Sequence, residues 1–84
     1  MTPGRQWTAV DGAIHLELRG LQPPQPLVTI LRLLHGVGRD AVVVAHLERD
    51  PVMLYPELDQ LGWRAEPLDG EPGEVRLRLV ADAR

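Results

Sequence analysis

Ala41-Val42-Val43-Val44-Ala45-His46-Leu47 is a run of seven residues, aliphatic but for His46, bounded by Arg39-Asp40 and Glu48-Arg49-Asp50. It is too short for a helix and rich in β-branched residues, and a strand apolar on both faces belongs in the middle of a sheet. Upstream, Ala13-Ile14-His15-Leu16-Glu17-Leu18-Arg19 alternates strictly, with Ile14, Leu16 and Leu18 on one face and His15, Glu17 and Arg19 on the other. That is a half-buried strand. Between the two, Leu27, Val28, Ile30, Leu31 and Leu34 recur at helical spacing, which predicts a helix from about Pro24 to His35 with Gly36 in the left-handed position beyond it. Strand, helix and aliphatic strand in succession make a crossover with the two strands parallel.

Downstream, Leu54, Leu58 and Leu61 share a helical face, and Pro56 fits only a first turn, so a second helix starts near Leu54 or Tyr55 and stops at Gly62. Trp63–Leu68 and Glu74–Val80 read as strands joined by Asp69-Gly70-Glu71-Pro72-Gly73 in a hairpin. The fold class is therefore an α/β (α+β) two-layer sandwich, βαβαββ, with a mixed four-stranded sheet and two helices on one face. Residues 13–84 are a single domain, and residues 1–12 an N-terminal segment in which Trp7–Val10 and Asp11-Gly12 offer an extra hairpin arm through a type I′ turn.

The residue inventory narrows the chemistry. The 84 residues include no Cys, Ser, Lys, Asn or Phe, which removes thiolate and serine nucleophiles, Schiff-base lysines and Walker-type lysines. All nine cations are Arg against twelve carboxylates, a net charge of −3 that argues against broad binding to nucleic acid or anionic membrane. Frequent Ala, Gly, Pro, Leu and Arg suggest a GC-rich bacterial genome. With no long apolar run and no charged start ahead of one, the expectation is a cytoplasmic protein without membrane span or signal peptide.

Leu18-Arg19-Gly20-Leu21-Gln22-Pro23-Pro24-Gln25-Pro26-Leu27, with this element order, resembles the TusA/SirA-like superfamily, whose motif is Gly-Leu-x-Cys-Pro-x-Pro-Leu. The Pro-Pro-x-Pro form, Asp50-Pro51, Leu54-Tyr55-Pro56-Glu57-Leu58 and Gly62-Trp63 are more similar still to the uncharacterised family called domain of unknown function 2249. The resemblance, over about residues 13 to 80, implies a sheet ordered 1-2-4-3 with its last strand antiparallel. It also implies that Pro23 stands where the sulfur-carrying members have their cysteine, so that the scaffold carries over and the sulfur relay does not. Prolines lack the N–H groups by which a helix start holds anions. Leu21, Pro23, Pro24, Pro26 and Leu27 then form a stiff apolar knuckle suited to docking a protein.

Other candidate sites have plainer readings. His15 and His46, on adjacent parallel strands, are the weak candidates for a metal, with Glu17 or Asp50 beside them, while His35 lies in the helical layer. Arg19, Arg64, Arg76 and Arg78 form either a basic strip or, with Glu17 and Glu66, cross-strand charge pairs. Tyr55 and Trp63 either flank a pocket or pack the sandwich edge. Asp11, Asp50 and Glu48 offer a pairing for acid–base work whose separation nothing in the sequence fixes, and turns or caps account for Asp11 and Asp50. The reading that results is a non-enzymatic accessory or protein-interaction domain without cofactor, binding neither nucleic acid nor membrane. Its contact surface is Leu21, Pro23, Pro24, Pro26, Asp50, Pro51 and Tyr55, at the carboxyl edge of the parallel strands. The alternative is a metal- or redox-linked accessory using His15 and His46. A homodimer through the open sheet face follows if Val42 and Val44 emerge there.

Overall fold

The computed structural model describes residues 5–82. Its elements are β1 (Arg5–Thr8), β2 (Ile14–Glu17), α1 (Gln25–Gly36), β3 (Val43–Leu47), α2 (Leu54–Leu61), β4 (Trp63–Leu68) and β5 (Val75–Ala81). They make an α+β fold with one mixed sheet in the order β1-β2-β3-β5-β4, where β2 and β3 are parallel and the other pairings antiparallel. β3 is central, as its apolar run requires, and all five of its residues are buried.

The expected four-stranded βαβαββ sheet is corrected to five strands by the N-terminal arm, which pairs Trp7 with His15 and Thr8 with Ile14. Its turn is not type I′. Asp11 keeps negative φ and only Gly12 turns positive, at 91°. Gly12 N–H donates to the Ala9 carbonyl at 2.9 Å, Ala9 N–H to the Ala13 carbonyl at 2.8 Å, and Asp11 Oδ1 accepts from Ala13 N–H at 3.0 Å. That is the three-residue loop with glycine in the left-handed position. The part of the arm expectation that falls on residues 1–4 lies outside the described residues.

The register separates two faces. Leu16, Ala45 and Leu77 are successive partners across β2, β3 and β5, as are Ile14, Val43 and Leu79. These rows carry the core, against which Ile30 and Leu34 of α1 and Leu54 and Leu58 of α2 are buried, each pair one helical turn apart. Truncating Ile30 to Ala would cost about 2–5 kcal/mol. The opposite face runs Trp7, His15, Val44, Arg78, Glu66 in one row and Arg5, Glu17, His46, Arg76, Leu68 in the next. Val44 does lie on this open face, yet its neighbours leave it only 6 % exposed.

Helix ends depart from expectation in one place. Gly36 closes α1 as a helical residue and Val37 follows in extended conformation, so the left-handed stop assigned to Gly36 is absent. Gly62 does take that role after α2, with φ 77° and its N–H reaching the Asp59 carbonyl at 3.2 Å. No helix among the described residues is long and apolar enough to cross a membrane.

Candidate functional site

Parallel β2 and β3 deliver their carboxyl ends to the same edge of the sheet, where the chain must leave each strand and climb to a helix. Leu18 N–H still pairs with the His46 carbonyl at 2.9 Å before the two paths separate. Gly20, at φ 90°, then turns the first connection, and its N–H is bound by the Glu48 carboxylate of the second. Between the diverging segments lies a cavity of about 350 Å³. Its floor is Leu18, Leu47 and Leu54, one wall is Leu21, Pro23, Pro24, Pro26 and Leu27, and the other runs from Glu48 to Met53.

Its chemistry is apolar. Pro24 and Pro26 have no N–H to offer, Gln25 N–H is taken by the Gln22 carbonyl at 2.9 Å and Val28 N–H by the Pro24 carbonyl at 3.0 Å. No side chain caps α1, and its first turn holds no acidic residue. Pro23 and Pro24 are joined by a cis peptide bond. Val52 and Met53 stand on the outer rim, 63 % and 71 % exposed. Among the described residues no buried side-chain nitrogen or oxygen lacks a hydrogen-bond partner, so no orphaned polar group points to a charged ligand.

Six of the seven residues expected to form the contact surface line this cavity, which is a concavity rather than the expected knuckle. Tyr55 does not line it. Its hydroxyl donates to Asp50 Oδ1 at 2.5 Å, and burial with that hydrogen bond pushes the phenol up to about 12. Trp63, at 3 % exposed, is a core residue.

A second cluster lies on the open face. His15 Nδ1 is 2.9 Å from His46 Nε2, and His46 Nδ1 is 2.5 Å from Glu74 Oε2. Trp7 stacks on both imidazoles, its ring centroid 5.1 Å from that of His15 and 5.6 Å from that of His46. The Glu74 side chain is fully buried and also accepts from Arg76 Nε at 3.0 Å, Arg76 Nη2 at 2.9 Å and Glu71 N–H at 2.9 Å. The Arg76 bond above all, then Glu71 N–H and His46, hold its carboxyl down at about 2 against the cost of burial. Burial, then the charges of His46 and Arg76, lower the pKa of His15.

So the two histidines do come together, but three of their four ring nitrogens are spent within the cluster. No group of three or more His, Asp or Glu among the described residues is arranged to hold a metal. Sequence reasoning missed Trp7 and Glu74 here. The spacing of Glu74 and Arg76, two apart at the head of a strand, was the available signal for the latter. The other arginines of the expected strip also pair with carboxylates, but mostly along one segment rather than across strands: Arg19 with Glu17 at 2.7 Å and Arg64 with Glu66 at 3.1 Å are two residues apart, and only Arg78, 3.4 Å from Glu66, makes a cross-strand pair. His35 stands exposed at the end of α1, apart from both clusters.

Among curated proteins no match to the sequence is found. A family model does match, over residues 15–81, which takes in β2 from its second residue, both helices, the β3 strand between them and β4 and β5 after them, and leaves out the β1 arm with its turn and the chain ends. The chain belongs to the family described as uncharacterized conserved protein (DUF2249).

Proposed function

We propose that the chain is a small cytoplasmic accessory domain whose work is to bind another protein, without catalysis, by receiving an apolar segment in the cavity between the α1 start and the β3–α2 connection. The carrying observation is the cavity itself: its apolar lining, its exposed rim of Val52 and Met53, and its place at the carboxyl edge of two parallel strands, where open α/β sheets gather their sites. The TusA/SirA-like kinship belongs to the same reading. On that kinship the sulfur-bearing position is Pro23, in a chain without cysteine, and the scaffold keeps its exposed edge while losing its nucleophile.

A metal- or redox-linked role for His15 and His46 has weaker support, because only His15 Nε2 is left uncommitted by the geometry of the pair.

The test compares the native chain with a Leu21→Asp/Pro23→Asp double variant, both shown folded by circular dichroism, as baits in extracts of the source cells. A partner retained by the native chain and by an Arg64→Ala control but lost from the double variant supports the reading. An identical captured set overturns it, as does unaided turnover of thiosulfate or a persulfide donor by the purified chain.

A further inference from the structure

The open-face cluster has a defined order of protons. Glu74 receives hydrogen bonds from Arg76 Nε and Nη2 and from Glu71 N–H, an environment for the ionised carboxylate, which can only accept. His46 must therefore donate through Nδ1, which leaves its Nε2 a lone pair in the neutral ring. At 2.9 Å from that lone pair, His15 Nδ1 must be the donor, and His15 in turn keeps its free pair on Nε2. Both rings are thus held in the Nδ1–H tautomer.

We propose that this pair is a latch on the N-terminal strand that tolerates one added proton and opens at the second. The first proton enters at His15 Nε2, and the imidazolium still donates through Nδ1 to His46. The second must occupy His46 Nε2, and two N–H groups then face each other across 2.9 Å with no acceptor between them. The rings have to part.

The nearby carboxylates, Glu74 at 2.5 Å from His46 Nδ1 and Glu17 beyond it, favour a charged His46 but place no acceptor between the two facing N–H groups. Of the ionisable groups around the pair, Arg76 is bound to Glu74, Arg78 and Arg64 to Glu66, and Glu17 to Arg19. Asp11, in the β1–β2 turn, favours a charged His15, and Arg5 on β1 lies over Trp7, 5.6 Å from its ring. Glu71 reaches Arg19 at 3.8 Å. Parting of the rings dismantles the stack that seats Trp7, and Trp7 is the large side chain of an edge strand whose four residues are all exposed. β1 also lies outside the segment matched by the family model.

Nitrogen-15 NMR of the imidazoles, read together with amide exchange across a pH titration, tests the latch. The expected result is the Nδ1–H tautomer for both histidines at neutral pH, then loss of amide protection in Arg5–Thr8 when both rings become doubly protonated, with β3 and β5 amides still protected. His15→Gln, which keeps a side-chain amide to bind His46 in either protonation state, is expected to hold β1 through the same acid range. An Nε2–H tautomer on His15 at neutral pH, continued protection of β1 after both rings are charged, simultaneous loss in β1, β3 and β5, or unchanged release in His15→Gln would each overturn it.

Discussion

The Tyr55 hydroxyl ties the first turn of α2 back to Asp50, donating to its Oδ1 at 2.5 Å and so fixing one wall of the cavity from behind. Folding favours the neutral phenol, whose pKa rises from 10.0 to about 12. A group protonated more firmly in the folded state contributes stability that is complete below its unfolded pKa and disappears as pH climbs to the folded one. The native chain should therefore lose this contribution between pH 10 and about 12, and Tyr55→Phe should lose none there. At neutral pH the variant should be less stable by about 1 kcal/mol, the usual net worth of a hydrogen bond. Urea unfolding of both proteins at pH 8 and 11 checks this.

Glu74 gives the opposite sign. Its carboxyl is depressed from 4.5 to about 2 chiefly by Arg76, so its contribution is complete above 4.5 and disappears as pH falls towards 2. Glu74→Gln should be destabilised by about 2 kcal/mol at pH 7, less than a fully buried pair because Arg76 is part-exposed, and should show a flatter acid limb than the native chain. Thermal melts at pH 7, 4 and 2.5 distinguish the two curves.

At Gly62 the constraint is backbone geometry. A Cβ there would stand 3.1 Å from Arg39 Nη2, and the residue sits at φ 77°, where side chains are strained. The same guanidinium donates to the Gly62 carbonyl at 2.8 Å and, more weakly, to that of Asp82 at 3.4 Å, so it joins the end of α2 to the chain leaving β5. Gly62→Ala should cost about 1–2 kcal/mol through lost left-handed freedom and a displaced arginine. Arg39→Ala in the same background should add less than it does alone, since both act on one contact, and a double-mutant cycle in urea measures that coupling.

Much of this architecture was legible because period and punctuation agreed. The Val-rich run at 41–47 could only be central, the Leu54/Leu58 spacing only helical, and Gly62 only a stop. The arm at Arg5–Thr8 was obscured because it is exposed on every residue and is held by Trp7 stacking on two histidines from other strands, a contact with no local signature. Gly36 misled for a related reason: glycine permits a left-handed stop but does not require one. The site divided in the same way. Leu21 to Pro26 and Asp50-Pro51 were legible as chain leaving two adjacent strand ends. Whether such segments bulge or enclose a hollow depends on how far they diverge, which no spacing encodes.

The cavity rim offers the last discriminating measurement. Val52 and Met53 are exposed, so replacing both with Glu removes almost no buried area and should change stability by no more than about 0.5 kcal/mol. The same change places two carboxylates beside Glu48 and Asp50 at the mouth of an apolar hollow. An apolar segment entering past them would have to strip water from four anions, a penalty that its own burial, worth about 25 cal/mol per Å², cannot offset over so small an area. Val52→Glu/Met53→Glu should therefore melt with the native chain and yet fail to retain the partner that the native chain captures. Retention by this variant would place the contact elsewhere on the surface, and a lowered melting temperature would mean that the rim is part of the packed core after all.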